Sequence, residues 1–478
     1  MQADRVQQKP QLKDLSFIAL FSLIFGSIMG SGVFDIPQNI AHGAGVIAIS
    51  LGWIITTIGI MALSWAFVYI TNKRPDIQSG LYGYAKHGFG NYVGFNSAWG
   101  YALNAILANT SYLVYICATL GNFVIFKFLG QGNTLIALMV ESGLIWGVHF
   151  LINRGIREAS FVNILFSSIK ILTLIIVILV FIGGFHWAKF RSNFHVELKL
   201  GSMLDQIKST MLVTVWDFTG IEAACIFALR ARSMQDVARA TMLGAVVVCL
   251  IDIAVSILPF GMLGGDEIRA LSTPSTAGLL ATGYGAIGGE AIRLAVVISV
   301  AGALLAWAML ATNMFYVAAE DGTMPKFLLK LNKRNVPYNS VLISSLLTQI
   351  FVIMAYFTNA VYLMLIQLAT SLILLPYLLS ALFAMQLIIR ERKVDYLAIM
   401  KGVLAVLYGL WLVYSGGMMF LALACLMYLA GSILYFIARK EHSQSLLADK
   451  FEAGVFILLV VVTICSVTYW SSVIATLQ

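Results

Sequence analysis

"FGSIMGSGVFDIPQ", residues 25–38, interrupts the first long apolar run of the chain with Gly26, Gly30 and Gly32, two serines, Asp35 and Pro37. A helix in hydrocarbon avoids such a set, because each backbone group it frees must be satisfied inside the protein or by a water-filled cavity. Two readings compete. Glycines at this spacing let two helices approach closely, as GxxxG motifs do, or the helix is discontinuous here and its freed backbone has another use.

The rest of the chain settles the solvent. Of 478 residues, 60% are hydrophobic and 11% charged, against about 25% charged in soluble proteins, and the mean hydropathy is +0.90. Nearly charge-free runs recur, each long enough to cross ~30 Å of hydrocarbon as a helix. They lie near 15–42, 45–71, 91–123, 135–152, 161–183, 205–229, 240–263, 290–319, 341–357, 360–389, 398–415, 418–438 and 453–475. They lack the apolar/polar alternation of barrel strands. The expectation is an all-α integral membrane protein with 12–13 transmembrane helices. Residues 1–14 form a polar tail without a cleavable-signal pattern. With that tail in the cytoplasm, 22 lysines and arginines fall inside and 7 outside, with Lys170 left within a span. This bias supports a cytoplasmic N-terminus. The net charge of +8 therefore reflects inner loops, and no basic surface or motif for nucleic acid is present.

A second interrupted stretch, "VTVWDFTGIEAACIF" at 213–227, puts Gly220 between Asp217 and Glu222 in the sixth span. Five spans separate the two breaks. That spacing fits two inverted repeats, spans 1–5 at 15–183 and spans 6–10 at 205–389, with extra helices at 398–475. The repeat is inferred from placement alone, since the two halves share no evident residue pattern. Discontinuous helices 1 and 6 are a transporter device: half-helix N-termini take an anion and unwound carbonyls take a cation. An amino acid carries both charges on one carbon.

Ionisable residues within spans are functional candidates, since each is costly to insert. Asp35 follows Ser31 by four residues and shares its face. Asp217 and Glu222 bracket the second break, and their structural alternative is mutual or Lys/Arg pairing. Glu222 and the mid-span Lys170 are candidates for pH sensing or proton coupling, because burial weakens a group's hold on its charge. Asp252 reads as a structural partner or a water contact, and Glu141 as a solvated residue near the outer face. Asn104, Asn109 and Tyr112 lie on span 3, the last two sharing a helix face. Trp216 and Trp307 lie mid-span, away from the interfacial belts. The five scattered cysteines read as packing residues, with no CxxC or zinc spacing, and no metal or cofactor is expected. There is no GxxxxGK[ST], HExxH or Gly-x-Ser-x-Gly, so ATP-driven and hydrolytic chemistries have no motif to stand on, and the chain does not read as an enzyme.

"IMGSGVF" (28–34) and "WDFTGIEAA" (216–224) resemble the broken-helix signatures of the amino acid–polyamine–organocation superfamily. "GLYGYAKHGFGNYVGFNSAWGY", "RGIREASFVN", "DGTMPKFL" and "ATSLILLPYLLSA" are similar to the basic amino acid/polyamine antiporters, and in particular to bacterial arginine/ornithine antiporters. The resemblance covers about 14–440. It implies a LeuT-like fold in the bacterial inner membrane, small cationic amino acids or amines as partners, and it allows a homodimer. It also implies that Ile28, Ser31 and Gly32 receive the substrate carboxylate. Carbonyls near Trp216 and Thr219 would take the amino group. Asn109 would contact substrate, Trp216 stack on it, Trp307 form an outer gate, Glu222 sense pH, and Lys170 stand where other members hold sodium. Two residues depart from the family pattern. Asp35 stands where leucine or serine is common, and Asp217 where a small or apolar residue is usual. If both face the cavity they select for positive charge. Arginine, ornithine, lysine and histidine, or an amine such as cadaverine or histamine, all fit. Exchange is the leading expectation, and proton-coupled symport is the alternative.

Overall fold

The computed structural model describes residues 15–77, 79–226, 231–358, 362–391 and 394–477. The tail 1–14, Arg230, Arg392, Lys393 and the last part of the expected sixth span lie outside them. Within the described residues the chain is helical, with two isolated bridges and no strand. The helices are α1 Phe17–Ile28, α2 Gly32–Gly43, α3 Val46–Lys73, α4 Gly80–Phe89, α5 Asn91–Gly121, α6 Leu135–Arg154, α7 Ile156–Gly183, α8 Trp187–Asn193, α9 Met203–Phe218 and α10 Ala223–Ile226. They continue as α11 Met234–Ile257, α12 Gly265–Arg269, α13 Ser275–Glu320, α14 Tyr338–Thr358, α15 Tyr362–Ile389, α16 Tyr396–Ser415, α17 Met418–Glu441 and α18 Lys450–Leu477.

Side-chain caps begin several of them. Ser16, Thr134, Ser202 and Ser233 each accept a backbone N–H three residues on, satisfying a donor that a helix start leaves free. Among the described residues, 11 spans are long and apolar enough to cross a membrane, against the thirteen apolar runs of the sequence. The sixth run falls out because its break leaves α9 only 16 residues and α10 only 4. The last, α18, has its side chains described only in part. The eighth is longer than expected: α13 runs 46 residues and departs from helical geometry at Gly285, φ 75°.

Buried along nearly its whole length, α5 forms the centre and packs on α13 and α15. Large apolar residues such as Ile58, Leu179, Leu250 and Leu407 point outward. In water they would form adhesive patches; on a spanning bundle they face lipid. Around the centre, α1 lies on α7 and α11, while α2 lies on α9, α11, α12 and α13. Both interrupted helices therefore sit inside the bundle, where a break can be satisfied by neighbours.

Candidate functional site

The first break spans Met29, Gly30 and Ser31, between α1 and α2. A helix end leaves its last four carbonyls without intrahelical donors. All four find one here. Phe25 O accepts from Met29 N at 3.0 Å and Ile28 O from Gly30 N at 2.7 Å. Gly26 O accepts from Lys170 Nζ at 3.1 Å, and Ser27 O from Trp307 Nε1 at 2.9 Å. Two side chains from α7 and α13 thus stand in for the missing turn. The amino end of α2 has no side-chain cap, because Ser31 Oγ instead meets Tyr362 OH at 2.6 Å.

The second break runs from Thr219 to Glu222. Gly220 has φ +111°, a region that costs side-chain-bearing residues steric energy. Its carbonyl accepts from Ser27 Oγ at 3.1 Å. Its N–H points to Glu222 Oε2 at 3.2 Å and Tyr377 OH at 3.3 Å. Tyr377 OH donates to the same Glu222 oxygen at 2.6 Å. Thr219 keeps α9 capped, with its N–H on Trp216 O at 3.1 Å and its Oγ1 on Val215 O at 3.0 Å.

The two breaks meet directly. A Cβ on Gly32 would collide with Asp217 Oδ1 and lie 2.8 Å from Trp216 Cδ1. Asp217 and Trp216 therefore cover the amino end of α2, where the helix dipole favours negative charge. A Cβ on Gly30 would collide with Tyr112 OH. Tyr112 and Trp216 have ring centroids 6.0 Å apart, and Tyr115 and Tyr362 4.8 Å. The result is one buried cluster of glycine backbone, a carboxylate and aromatic faces. Aromatic faces attract cations, and a carboxylate adds charge. Its members Ser31, Tyr112, Trp216 and Asp217 are all buried. A cavity of about 370 Å³ opens elsewhere, lined by apolar residues of α5, α15, α17 and α18 such as Val93, Leu378, Cys425 and Val455.

Ile28, Ser31, Gly32, Tyr112, Trp216, Asp217 and Thr219 thus come together. Trp307 stands beside them but spends its N–H on the α1 carbonyl and stacks near Tyr101 at 6.1 Å. Lys170 likewise serves α1. Asn104 faces away, donating to Ala369 O at 2.8 Å. Asn109, with its amide turned as its neighbours require, donates to Leu304 O at 3.1 Å and accepts from Ala308 N at 3.2 Å, so it clamps α13. Asp35 takes a hydrogen bond from Ser275 N at 2.6 Å at the start of α13, whose Pro274 has no side chain able to cap it. A carboxylate there complements the helix dipole. Of the two added carboxylates, only Asp217 lies over the glycine break. Pairing of Asp35, Asp217 or Glu222 with lysine or arginine does not occur among the described residues. Glu141, expected in solvent, is 2% exposed and packs near Cys117, because span 4 turns that face toward α5.

Four tyrosines escaped the sequence reading: Tyr101, Tyr115, Tyr362 and Tyr377. Their signal was available, since a hydroxyl in mid-membrane needs a partner, but nothing local says which break each serves.

At the end of the bundle where α2 finishes, Arg269 of α12 donates to Ala41 O at 2.9 Å. It also pairs with Glu197 at 3.0 Å and Asp266 at 2.6 Å. Lys199 meets Asp266 at 2.8 Å, and Gln38 donates to Arg269 O at 3.2 Å and to Leu271 O. Hydrogen bonds from Lys199 and Arg269 hold the Asp266 carboxyl down at about 2. This network ties the end of α2 to α12 and to the segment before α9. At the other end, Arg232 N donates to Leu15 O at 3.0 Å, joining the start of α1 to the segment before α11.

A family model described as amino acid permease matches residues 15–448. The chain is 38% identical over 443 residues to the arginine/ornithine antiporter of Pseudomonas aeruginosa, covering 89% of this chain and 91% of that protein. It is 34% identical over 471 residues to the L-lysine transport protein of Corynebacterium glutamicum, covering 94% and 93%. To the arginine/agmatine antiporter of Chlamydia caviae it is 34% identical over 473 residues, covering 96% and 97%.

Proposed function

We propose a cationic amino acid antiporter, on the premise that the chain belongs to the amino acid permease family. It exchanges arginine, ornithine, lysine or histidine for a related amino acid or its amine. The observation that carries this reading is the meeting of the two breaks, with Asp217 and Trp216 packed on Gly32 and Tyr112 packed on Gly30. The names of the relatives, arginine/ornithine, lysine and arginine/agmatine carriers, agree with it.

The substrate carboxylate displaces Asp217 from the amino end of α2 and takes the N–H groups around Ser31 and Gly32. The side-chain cation lies among Tyr112, Trp216 and Asp217, where cation–π attraction and charge favour it. Alternating access follows from rocking of the helices that carry the breaks against the rest. The first repeat is 15–183 and the second 205–389. The N-terminus is cytoplasmic and the membrane is the bacterial inner one. No covalent bond changes, so the protein is a carrier and not an enzyme. Where the exchanged pair differs by one charge, the membrane potential contributes ~2.3 kcal/mol per 100 mV.

Proton-coupled symport is the second reading, favoured by Lys170 Nζ on Gly26 O at 3.1 Å, a cation built into the first break. Counterflow in proteoliposomes separates the two. Exchange requires cationic amino acid inside the vesicle, whereas symport fills empty vesicles under a pH gradient. Uptake of neither kind overturns both.

A further inference from the structure

The first turn of α2 is only loosely tied to the chain on either side of it. Before it, Met29, Gly30 and Ser31 break the helix. After it, Pro37 lies inside α2 and offers no N–H to Val33 O, so the ladder is one bond short where the first turn meets the second. Ser31 supplies no side-chain cap, and Phe34 N reaches back to Ser31 O at 3.2 Å. The free N–H groups of this turn are those that take the substrate carboxylate. Tertiary contacts must hold them in place.

Those contacts come from the segment that leads into α13. Ser275 N donates to Asp35 Oδ1 at 2.6 Å, and Ser275 Oγ donates to Phe34 O at 3.3 Å. Asp35 is 1% exposed and Ser275 0%. Three residues on, and on a neighbouring part of the same face, Gln38 Nε2 donates to Arg269 O at 3.2 Å and to Leu271 O. Ala41 O then accepts from Arg269 Nη1 at 2.9 Å. At ~1.5 Å per residue, Asp35 stands ~4.5 Å along the axis from Gly32, and Gln38 stands ~9 Å away, beyond the proline. Asp35 is therefore the joint nearest the break on this side, as the Ser31–Tyr362 bond of 2.6 Å is on the other. The joint needs an acceptor oxygen on Asp35, which a charged and a neutral carboxyl both provide.

We propose that Asp35 is a positioning residue for substrate binding: by accepting from Ser275 N it fixes the first turn of α2, and the N–H groups that take the substrate carboxylate, to the start of α13. Its acceptor oxygen does this, not its charge. The inference rests on the antiporter reading and deepens it. It separates the two added carboxylates by task, since substrate displaces Asp217 while Asp35 holds the turn that Asp217 vacates.

The test uses purified full-length protein in proteoliposomes. Arginine competes there with agmatine, which has the same guanidinium and no carboxylate. Asp35→Leu removes the acceptor. The arginine concentration for half-maximal exchange then rises about tenfold or more, from the lost hydrogen bond and the misplaced turn. That of agmatine, which does not use these N–H groups, moves by less than about twofold. Asp35→Asn keeps an acceptor oxygen and restores most of the affinity for arginine. Ser275→Pro deletes the donor instead, at the first residue of α13, where helices accept proline. It reproduces the effect of Asp35→Leu, and the double variant is no worse than either alone, as for two halves of one bond. Unchanged arginine affinity in Asp35→Leu overturns the proposal. So does Asp35→Asn as impaired as Asp35→Leu, which would make the charge the active feature. An equal rise for arginine and agmatine in both Asp35→Leu and Ser275→Pro, or loss of all exchange in both, marks a packing role and overturns it too. Wild type that exchanges no cationic amino acid at all fails earlier, at the antiporter reading itself.

Discussion

Replacing Gly220 by alanine probes the joint on which the site is built. The residue sits at φ +111°, and holding an L side chain in such a region costs of order 1–3 kcal/mol. The new Cβ would lie 2.9 Å from Ser27 Oγ and 3.1 Å from the Ser27 carbonyl carbon, inside the ~3.5–4.0 Å of ordinary carbon contacts. Relief requires α1 and the second break to separate, which loses the 3.1 Å bond from Ser27 Oγ to Gly220 O and about 0.5–1.5 kcal/mol more. Together these remove roughly 2–4 kcal/mol from the conformation in which the two breaks meet, or about 30-fold to several-hundred-fold in its population. Counterflow of arginine and thermal melting of the purified protein read the effect. Gly143→Ala is the internal control. It sits within α6 with no atom within 4 Å of its would-be Cβ, so it gains about 0.5–1 kcal/mol of helix preference. If Gly220→Ala exchanges like wild type and melts with Gly143→Ala, the backbone of the second break is not strained and the joint is misread.

Trp307→Phe leaves Ser27 O without its donor and lowers stability by about 1–3 kcal/mol; an unchanged melting temperature would reduce Trp307 to packing. Lys170→Met orphans Gly26 O in the same way but leaves counterflow intact, and a selective loss of pH-driven uptake would instead favour symport. Tyr377→Phe removes a donor to the Glu222 carboxylate and Glu222→Gln removes its titrating charge, so both alter the pH profile of exchange; two unaltered profiles end the sensing role of Glu222. Asp266, held at about 2 against an ordinary 3.8, contributes stability that is complete above 3.8 and is lost as pH falls toward 2. Melting between pH 8 and 5 therefore has no slope from this group; Asp266→Asn lowers it by a constant amount there, and the difference from wild type closes as pH falls toward 2.

By itself the sequence determined the solvent and the architecture. Charge-free runs of fixed length can only be spanning helices, and glycines beside carboxylates in the first and sixth runs announce breaks. It also determined that Ser31, Gly32, Trp216 and Asp217 belong to one problem, because both stretches free backbone that something must satisfy. The tertiary structure decided who satisfies it. Lys170 and Trp307 have the look of coupling and gating residues, yet each reaches a specific α1 carbonyl across more than a hundred residues of chain. Asp35 and Asp217 look alike as added acids. One caps α13 and the other covers Gly32, because Ser275 and Gly32 are placed by packing that no local pattern encodes. Asp252 reads in sequence as a structural partner or a water contact, and only the packing of α11 shows that it is buried with both carboxylate oxygens unpartnered. Periodicity and cost are local properties of a chain; the partner of a buried polar group is a property of the fold.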